Sequence, residues 1–232
     1  MKLGIMQPYF FPYIGYFQLL QAVDRFIVYD DVNFIKGGWI NRNRVLLNGQ
    51  ANYFNIGIRG ASSFKLICEI ELDANPLWRS KVLKTIQAGY GKAPHFTVVY
   101  ELVQNIMMFQ TASLADFVYN SLFQICDFVE IKTRIVRSSE VELNRELHGT
   151  ERILDICQRN AADVYINAIG GKELYRKEQF QASNVSLKFL RTKPFVYKQF
   201  KGEFTPNLSF IDVLMFNSQS NVKALLNEYE LL

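Results

Sequence analysis

A layered α/β fold with a mostly parallel sheet is what this sequence predicts, on three observations. Short apolar runs able to form buried strands alternate with longer stretches of helical periodicity, the order that βαβ units require. Polar residues gather where the strand-like runs end, at Gln7, Asp30-Asp31, Ser138-Ser139 and Asn167, and open parallel sheets bind ligands at that carboxyl edge. One pair of strand-like runs is joined by Asn48-Gly49, a hairpin signal that interrupts the parallel pattern.

Taken in order, Leu3 to Met6 is a short buried strand. Gln7-Pro8 and Pro12 then forbid a regular helix and force a turn. Helical spacing runs from Ile14 to Val23, and Arg25 to Tyr29 is a second strand closing on Asp30-Asp31. Val45 to Leu47, the Asn48-Gly49 turn and Asn52 to Ile58 form the hairpin; Arg59 to Ser63 is a loop and Leu66 to Leu72 an alternating strand. Asn75-Pro76 offers a cap and a first-turn proline to a helix from Leu77 to Gln87, which Gly89 and Gly91 end. Phe96 to Phe109 and Ser113 to Cys126 are packing helices, the second with Ser113 as cap and Asp116 in its first turn. Ile131 to Val136 is a strand, Val141 to Gly149 an acid-rich connection, and Thr150 caps a helix from Glu151 to Asn160. Asp163 to Asn167 is a buried strand, followed by the glycine loop Ala168 to Lys172 and a helix start near Glu173 to Tyr175. Ser186 to Leu190 is a strand, Lys198 to Asn207 an aromatic and basic loop, and Leu208 to Met215 a helix. The sum is a Rossmann-like three-layer sheet, mostly parallel, with a β-hairpin insertion and added helices. No repeat or linker divides it, so residues 1–232 read as one domain.

Composition narrows the function. Hydrophobic residues at 49% and aromatic residues at 14% support a real core and exclude a disordered chain. The net charge of +4 is mild and its cations are scattered, so no nucleic-acid partner is expected. No apolar stretch reaches membrane-spanning length. Neither a leader pattern nor a disulfide framework is apparent; Cys68, Cys126 and Cys157 sit apart in apolar runs and read as free thiols of a cytoplasmic protein. With two histidines no Cys/His zinc pattern assembles, so no metal is expected and no cofactor is identifiable.

The chemistry-bearing residues concentrate after the second strand. Asp30, Asp31, Asn33, Lys36, Trp39, Arg42, Asn43 and Arg44 follow one another closely, with Gly37-Gly38 between them. Such a set suits a polar ligand site in which cations hold an anion and acids hold hydroxyls or an amine; a surface turn with Trp39 folded onto the core is the plainer alternative. Gly170-Gly171 after the Asn167 strand is a place where backbone N–H groups can cradle an anion. His95, after Pro94, is either a catalytic residue or a structural one at a helix start.

Four ordered blocks carry a resemblance. Gln7 to Leu20 (QPYFFPYIGYFQLL) with Asp24 to Leu46 (DRFIVYDDVNFIKGGWINRNRVL), Leu77 to Lys81 with Ala88 to Phe96, Thr150 to Cys157 with Tyr165 to Asn167 and Gly170-Gly171, and Phe204 to Leu214 (FTPNLSFIDVL) span nearly the whole chain. Together they resemble the WbqC-like family, whose members accompany bacterial surface-polysaccharide genes, O-antigen clusters among them. The resemblance implies a role in that biosynthesis, with a glycine transfer suggested for the family. A second resemblance is to the HxGH loop of nucleotidyltransferases and class I aminoacyl-tRNA synthetases, carried by Pro12-Tyr13-Ile14-Gly15-Tyr16. It puts Tyr13 and Tyr16 where that superfamily has histidines against nucleotide phosphates.

The expected function is a transferase that places glycine or another small acyl group on a nucleotide- or lipid-linked sugar. Tyr13 and Tyr16 would line the phosphate end, Arg42 and Arg44 would bind anionic oxygens, Asp30 or Asp31 would orient an amine or act as base, and Gln7 and Asn43 would fix orientation. A non-catalytic nucleotide-sugar binding protein shares the same pocket and stands as the alternative; a nucleic-acid binder ranks third.

Overall fold

A computed structural model describes residues 1–141, 144 and 146–232. The chain opens with strand β1 (Lys2–Met6), helix α1 (Ile14–Ala22) and strand β2 (Arg25–Val28). A long insertion follows: the hairpin β3 (Arg42–Leu47) and β4 (Gln50–Asn55), the short strands β5 (Ile58–Arg59) and β6 (Glu71–Leu72), and helices α2 (Leu77–Tyr90), α3 (Phe96–Met108) and α4 (Leu114–Phe128). Strand β7 (Arg134–Arg137), helix α5 (Gly149–Arg159), strand β8 (Val164–Ala168), helix α6 (Lys177–Ala182) and strand β9 (Ser186–Thr192) come next. Helices α7 (Phe210–Phe216) and α8 (Gln219–Leu226) and strand β10 (Tyr229–Leu231) close the chain.

Among the described residues the main sheet has six strands in the order β10-β9-β8-β1-β2-β7. All neighbours are parallel except β10, which runs antiparallel along β9. The chain steps outward from β1 to β2 and β7, then starts again on the far side of β1 with β8. This is a Rossmann-like order, with its reversal between β1 and β8. Because successive side chains of a strand point to opposite faces, the sheet has a core on each side. Leu3, Ile5, Ile27 and Tyr165 pack with Ile156 of α5 and Phe180 of α6. Phe26, Val28 and Ile166 pack on the other face with Phe17 of α1, Phe117 of α4 and Phe210 of α7. Three layers result.

Local signals placed most elements well, and the departures have identifiable causes. Asn48 and Gly49 have φ of 52° and 75°, the pair of left-handed residues that a tight hairpin turn needs. Strand β3 begins earlier than expected, so Arg42, Asn43 and Arg44 lie within the hairpin, opposite Asn55, Phe54 and Tyr53. Leu66 to Leu72 is not one strand. Residues Ile67–Glu69 form a single 3-10 turn, held by Cys68 N–H to Asp30 O and Ile67 N–H to Val32 O, and only Glu71–Leu72 pairs, with β5. Helix α5 opens at Gly149 after His148 with no side-chain cap, so Thr150 is inside the helix. No helix starts at Glu173; a 3-10 turn, Ile169–Gly171, follows β8 directly, and α6 waits until Lys177. Of the acid-rich connection, Glu142, Leu143 and Arg145 lie outside the described residues. Among the described residues no helix is long and apolar enough to cross a membrane.

Helix α2 rests on strand β3 at a glycine. A Cβ at Gly89 would stand 2.4 Å from the carbonyl oxygen of Leu46, a backbone atom that no rotamer change can move. Alanine ordinarily favours a helix over glycine by about 1 kcal/mol. The overlap outweighs that gain, and Gly89→Ala is expected to lose about 1–3 kcal/mol of stability, read from urea unfolding.

Candidate functional site

The carboxyl ends of β1 and β8 open into a cavity of about 470 Å³. Met6, Asn167 and Ala168 come from the strand ends; Tyr9 and Tyr13 from the aromatic loop; Trp39, Asn43 and Arg44 from the hairpin; Gly170, Gly171 and Leu174 from the segment after β8; and Asn207 from the loop before α7. It lies at the point where strand order reverses, where a doubly wound sheet leaves a crevice.

The aromatic loop is held in place by Asn43. The Asn43 side chain is buried, and its Nδ2 donates to the carbonyls of Phe10 (3.0 Å) and Phe11 (2.9 Å). Phe11 has a φ of 43°, a conformation that a bulky residue keeps only when its surroundings demand it. Phe10 N–H also donates to Trp39 O at 3.0 Å, so three hydrogen bonds join this loop to the hairpin and the segment that leads into it. The Tyr13 ring lies over Gly15, where a Cβ would stand 2.4 Å from it. Burial raises the hydroxyl pKa of Tyr9 and Tyr13, which keeps both protonated as donors at neutral pH.

Among the described residues of this lining, Arg44 is the one that is charged. Its guanidinium lies 5.5 Å from the centre of the Trp39 ring, and Trp39 in turn stacks on Tyr53 at 6.2 Å. One nitrogen of Arg44, Nη2, donates to Asn207 O at 3.1 Å. Its Nε is enclosed and has no acceptor. The carbonyl of Arg44 accepts from Ser209 N–H (2.9 Å), which fixes the Asn207 segment against the hairpin. Asn167 is committed: Oδ1 accepts from Ala168 N–H (2.7 Å) and Nδ2 donates to Tyr165 Oη (3.1 Å). A Cβ at Gly171 would come within 2.8 Å of that amide, so Gly171 makes room for Asn167.

Two carboxylates follow β2. Asp30 is fully buried. Its Oδ1 accepts from Ser139 N–H (2.9 Å) and its Oδ2 from Ser139 Oγ (2.7 Å). Ser138 Oγ accepts from Asp30 N–H at 3.0 Å and lies within reach of Oδ1 of both Asp30 and Asp31. Asp31 Oδ2 pairs with Arg152 Nη2 at 2.5 Å, and Arg152 Nη1 donates to Asp31 O. Asp31 faces a second cavity of about 440 Å³, bordered also by Tyr29, Asn33, His148, Gly149, Arg152 and Tyr175. The serine knot ties β2 to β7 where both strands end. Ser138→Ala is expected to cost about 1–3 kcal/mol, because it removes the buried hydroxyl that lies within reach of both carboxylates; thermal unfolding reads it.

The structure therefore divides the residues singled out in the sequence. Tyr13, Trp39, Asn43, Arg44, Asn167, Gly170 and Gly171 share the first cavity; Asp31 and Asn33 face the second. Asp30 borders neither and is enclosed by Ser138 and Ser139. Tyr16 borders neither cavity: it is 0% exposed and its hydroxyl donates to Gln7 O at 3.0 Å. Gln7 lines neither cavity and serves that bond through its carbonyl. Arg42 clamps a turn, its Nε donating to Gly38 O (3.1 Å) and its Nη2 to Gly37 O, while its guanidinium covers Tyr53. Lys36 is exposed at that turn. His95 precedes α3 and borders a separate, largely apolar hollow with Phe128, Leu214 and Val222. The glycine loop has no helix behind it, so the cradle expected at Gly170-Gly171 lacks its dipole. Sequence reasoning passed over Tyr9, Leu174 and Asn207 in the first cavity and Tyr29, His148, Arg152 and Tyr175 in the second. The density of tyrosines from Tyr9 to Tyr16 is the signal by which Tyr9 can be found; the inward turn of Arg152 leaves no trace in the helical pattern.

A family model described as the WbqC-like protein family matches residues 7–224. Among curated proteins, the "Uncharacterized protein Rv1507c" of Mycobacterium tuberculosis (strain ATCC 25618 / H37Rv) is 27% identical over 219 residues, which cover 93% of each chain. No solved structure matches.

Proposed function

The chain belongs to the WbqC-like protein family, and on that premise we propose that it is a transferase of bacterial surface-polysaccharide (O-antigen) biosynthesis. In this reading a nucleotide- or lipid-linked sugar occupies the cavity above β1 and β8 and receives a small acyl group, glycine being the one suggested for the family. The observation that carries the proposal is Arg44, a guanidinium with an unmet, enclosed N–H in a cavity whose other described lining is aromatic rings, amides, glycines and apolar side chains. Tyr9, Tyr13 and Trp39 offer flat faces and hydroxyls to a ring, and Arg44 offers charge-assisted hydrogen bonds to a phosphate oxygen. Asp30 acts through the serine knot as a positioning residue. Asp31 stands at the neighbouring cavity, on the side from which a second substrate would approach. The three free cysteines suit a cytoplasmic setting, and residues 1–232 act as one domain.

One observation favours the non-catalytic alternative, a nucleotide-sugar binding protein. Among the described residues that line the first cavity, the tyrosines are held protonated, and none is a carboxylate or a histidine. A thermal-shift screen with nucleotide sugars, ATP and glycine, with and without magnesium, tests both readings. A nucleotide sugar at a hundred times its Kd adds about 2.7 kcal/mol, which for a chain of this size raises the melting temperature by about 5–10 °C. Consumption of that ligand in the presence of an acyl donor supports the transferase; stabilisation without turnover supports the binding protein. A flat response to every nucleotide sugar ends both.

A further inference from the structure

Among the described residues, Arg152 Nε beside the second cavity has no acceptor. Helix α5 (Gly149–Arg159) enters from His148 without a side-chain cap, and the first amides of a helix have no partner within it. His148 and Gly149 both border the cavity, so this positive helix end faces it. Arg152 supplies an independent observation. It is 4% exposed and lines the same cavity, it gives Nη1 and Nη2 to Asp31, and its Nε is enclosed with no acceptor. Buried N–H groups of this kind almost always have partners. Asp31 already balances the charge of Arg152, so a ligand here meets the helix end and an unmet N–H without displacing the ion pair.

We propose that this cavity binds an oxyanion, the carboxylate or phosphate group of a second small molecule, through Arg152 Nε and the opening amides of α5. At about 440 Å³ the cavity has room for more than the anion itself. Tyr29 stands on its wall with its hydroxyl pKa pushed up to about 12 by burial, and so keeps its proton to donate. A packed row links the two cavities: Asn167 Nδ2 donates to Tyr165 Oη, and the Tyr165 ring packs edge-on against Tyr175 with ring centres 5.9 Å apart. Two ligands would therefore sit side by side along the carboxyl edge. The inference does not depend on what fills the first cavity.

The chain's two histidines make the test direct, since His148 borders this cavity and His95 another. Protein carrying 13C-labelled histidine is titrated at constant pH with sodium phosphate, with sodium acetate, and with sodium chloride at matched ionic strength. The expected result is a saturable shift of the His148 resonances with phosphate or acetate and none at His95. Whichever saturates at the lower concentration assigns the site to a phosphate or to a carboxylate. Arg152→Lys keeps a cation for Asp31 but has no Nε, and raises the half-saturation concentration roughly tenfold or more. Asn33→Asp adds a negative charge at the exposed rim and weakens binding several-fold without touching the core, so a misfolded Arg152→Lys leaves the question decidable. A His148 shift that follows ionic strength alone, or saturation unchanged in Asn33→Asp, overturns the proposal.

Discussion

Replacing Asp212 with alanine is expected to lower the melting temperature by about 10–20 °C, through loss of a buried hub. Asp212 is fully buried in α7. Its Oδ1 accepts from Tyr90 Oη (2.9 Å), and its Oδ2 from Tyr197 Oη (2.5 Å) and Gln199 Nε2 (2.7 Å). Tyr90 Oη in turn accepts from Leu46 N–H at 2.8 Å. One carboxylate thus joins the end of α2, strand β3, the loop at Tyr197–Gln199 and α7. Alanine leaves the Tyr90 and Tyr197 hydroxyls without this acceptor, each worth about 1–3 kcal/mol when unmet, and takes one of two acceptors from Gln199 Nε2, which also donates to Thr205 O. Asparagine is a poor replacement, because its amide turns a donor toward one of the existing donors.

The same residue predicts a pH dependence. Desolvation raises the Asp212 pKa, against the partial counter-effect of its three hydrogen bonds. An acid whose folded pKa lies above its unfolded value binds its proton more readily when folded, so its contribution to stability is fully present below the unfolded pKa. That contribution is lost as pH rises through the folded pKa. Urea unfolding of the wild type from about pH 4 upward should show this decline superposed on the other titrations. In Asp212→Asn that component should vanish, while the overall stability is lower. An Asp212→Ala protein that melts within about 2 °C of the wild type would show that the hub carries no weight.

Arg44→Ala is expected to weaken the binding of a nucleotide sugar by about 10–100-fold, the value of one or two charge-assisted hydrogen bonds, with little change in the stability of the free protein. Arg42→Ala is the control. The two arginines share a face of β3 two residues apart, but Arg42 spends its donors on the carbonyls of Gly37 and Gly38. Its loss should cost turn stability and leave affinity nearly intact. Arg44→Lys should fall between, since an ammonium keeps the charge and loses the planar fork. Equal loss of affinity in Arg42→Ala and Arg44→Ala, measured by calorimetry, would remove Arg44 from its assigned role.

The contrast between those arginines shows where sequence reading stops. The strand at Lys2–Met6, the helix at Ile14–Ala22 and the strand at Arg25–Val28 are legible because periodicity and proline placement act over a few residues. The Asn48-Gly49 turn and the Ser113 cap, which accepts from Asp116 N–H at 3.2 Å, are legible for the same reason. Leu66 to Leu72 misled because a short alternating run has no strand identity without a partner to pair with. The surroundings of Asp30 were not legible, because proximity in sequence says nothing of Ser138 and Ser139, which close over it from the end of β7.

From its residues alone this chain determined a layered α/β fold with a parallel sheet, a hairpin insertion and a polar carboxyl edge, since those properties follow from local spacing and from which side chains avoid water. Only the tertiary structure decided that the edge holds two cavities, that Arg44 and Arg152 bring an unmet N–H to one each, and that Tyr16 and Asp30 are interior supports. The physical reason is distance along the chain. The fate of a polar group is set by the acceptors that meet it, and here those acceptors are brought by segments remote in sequence, Asn207 for Arg44 and Asp31 for Arg152.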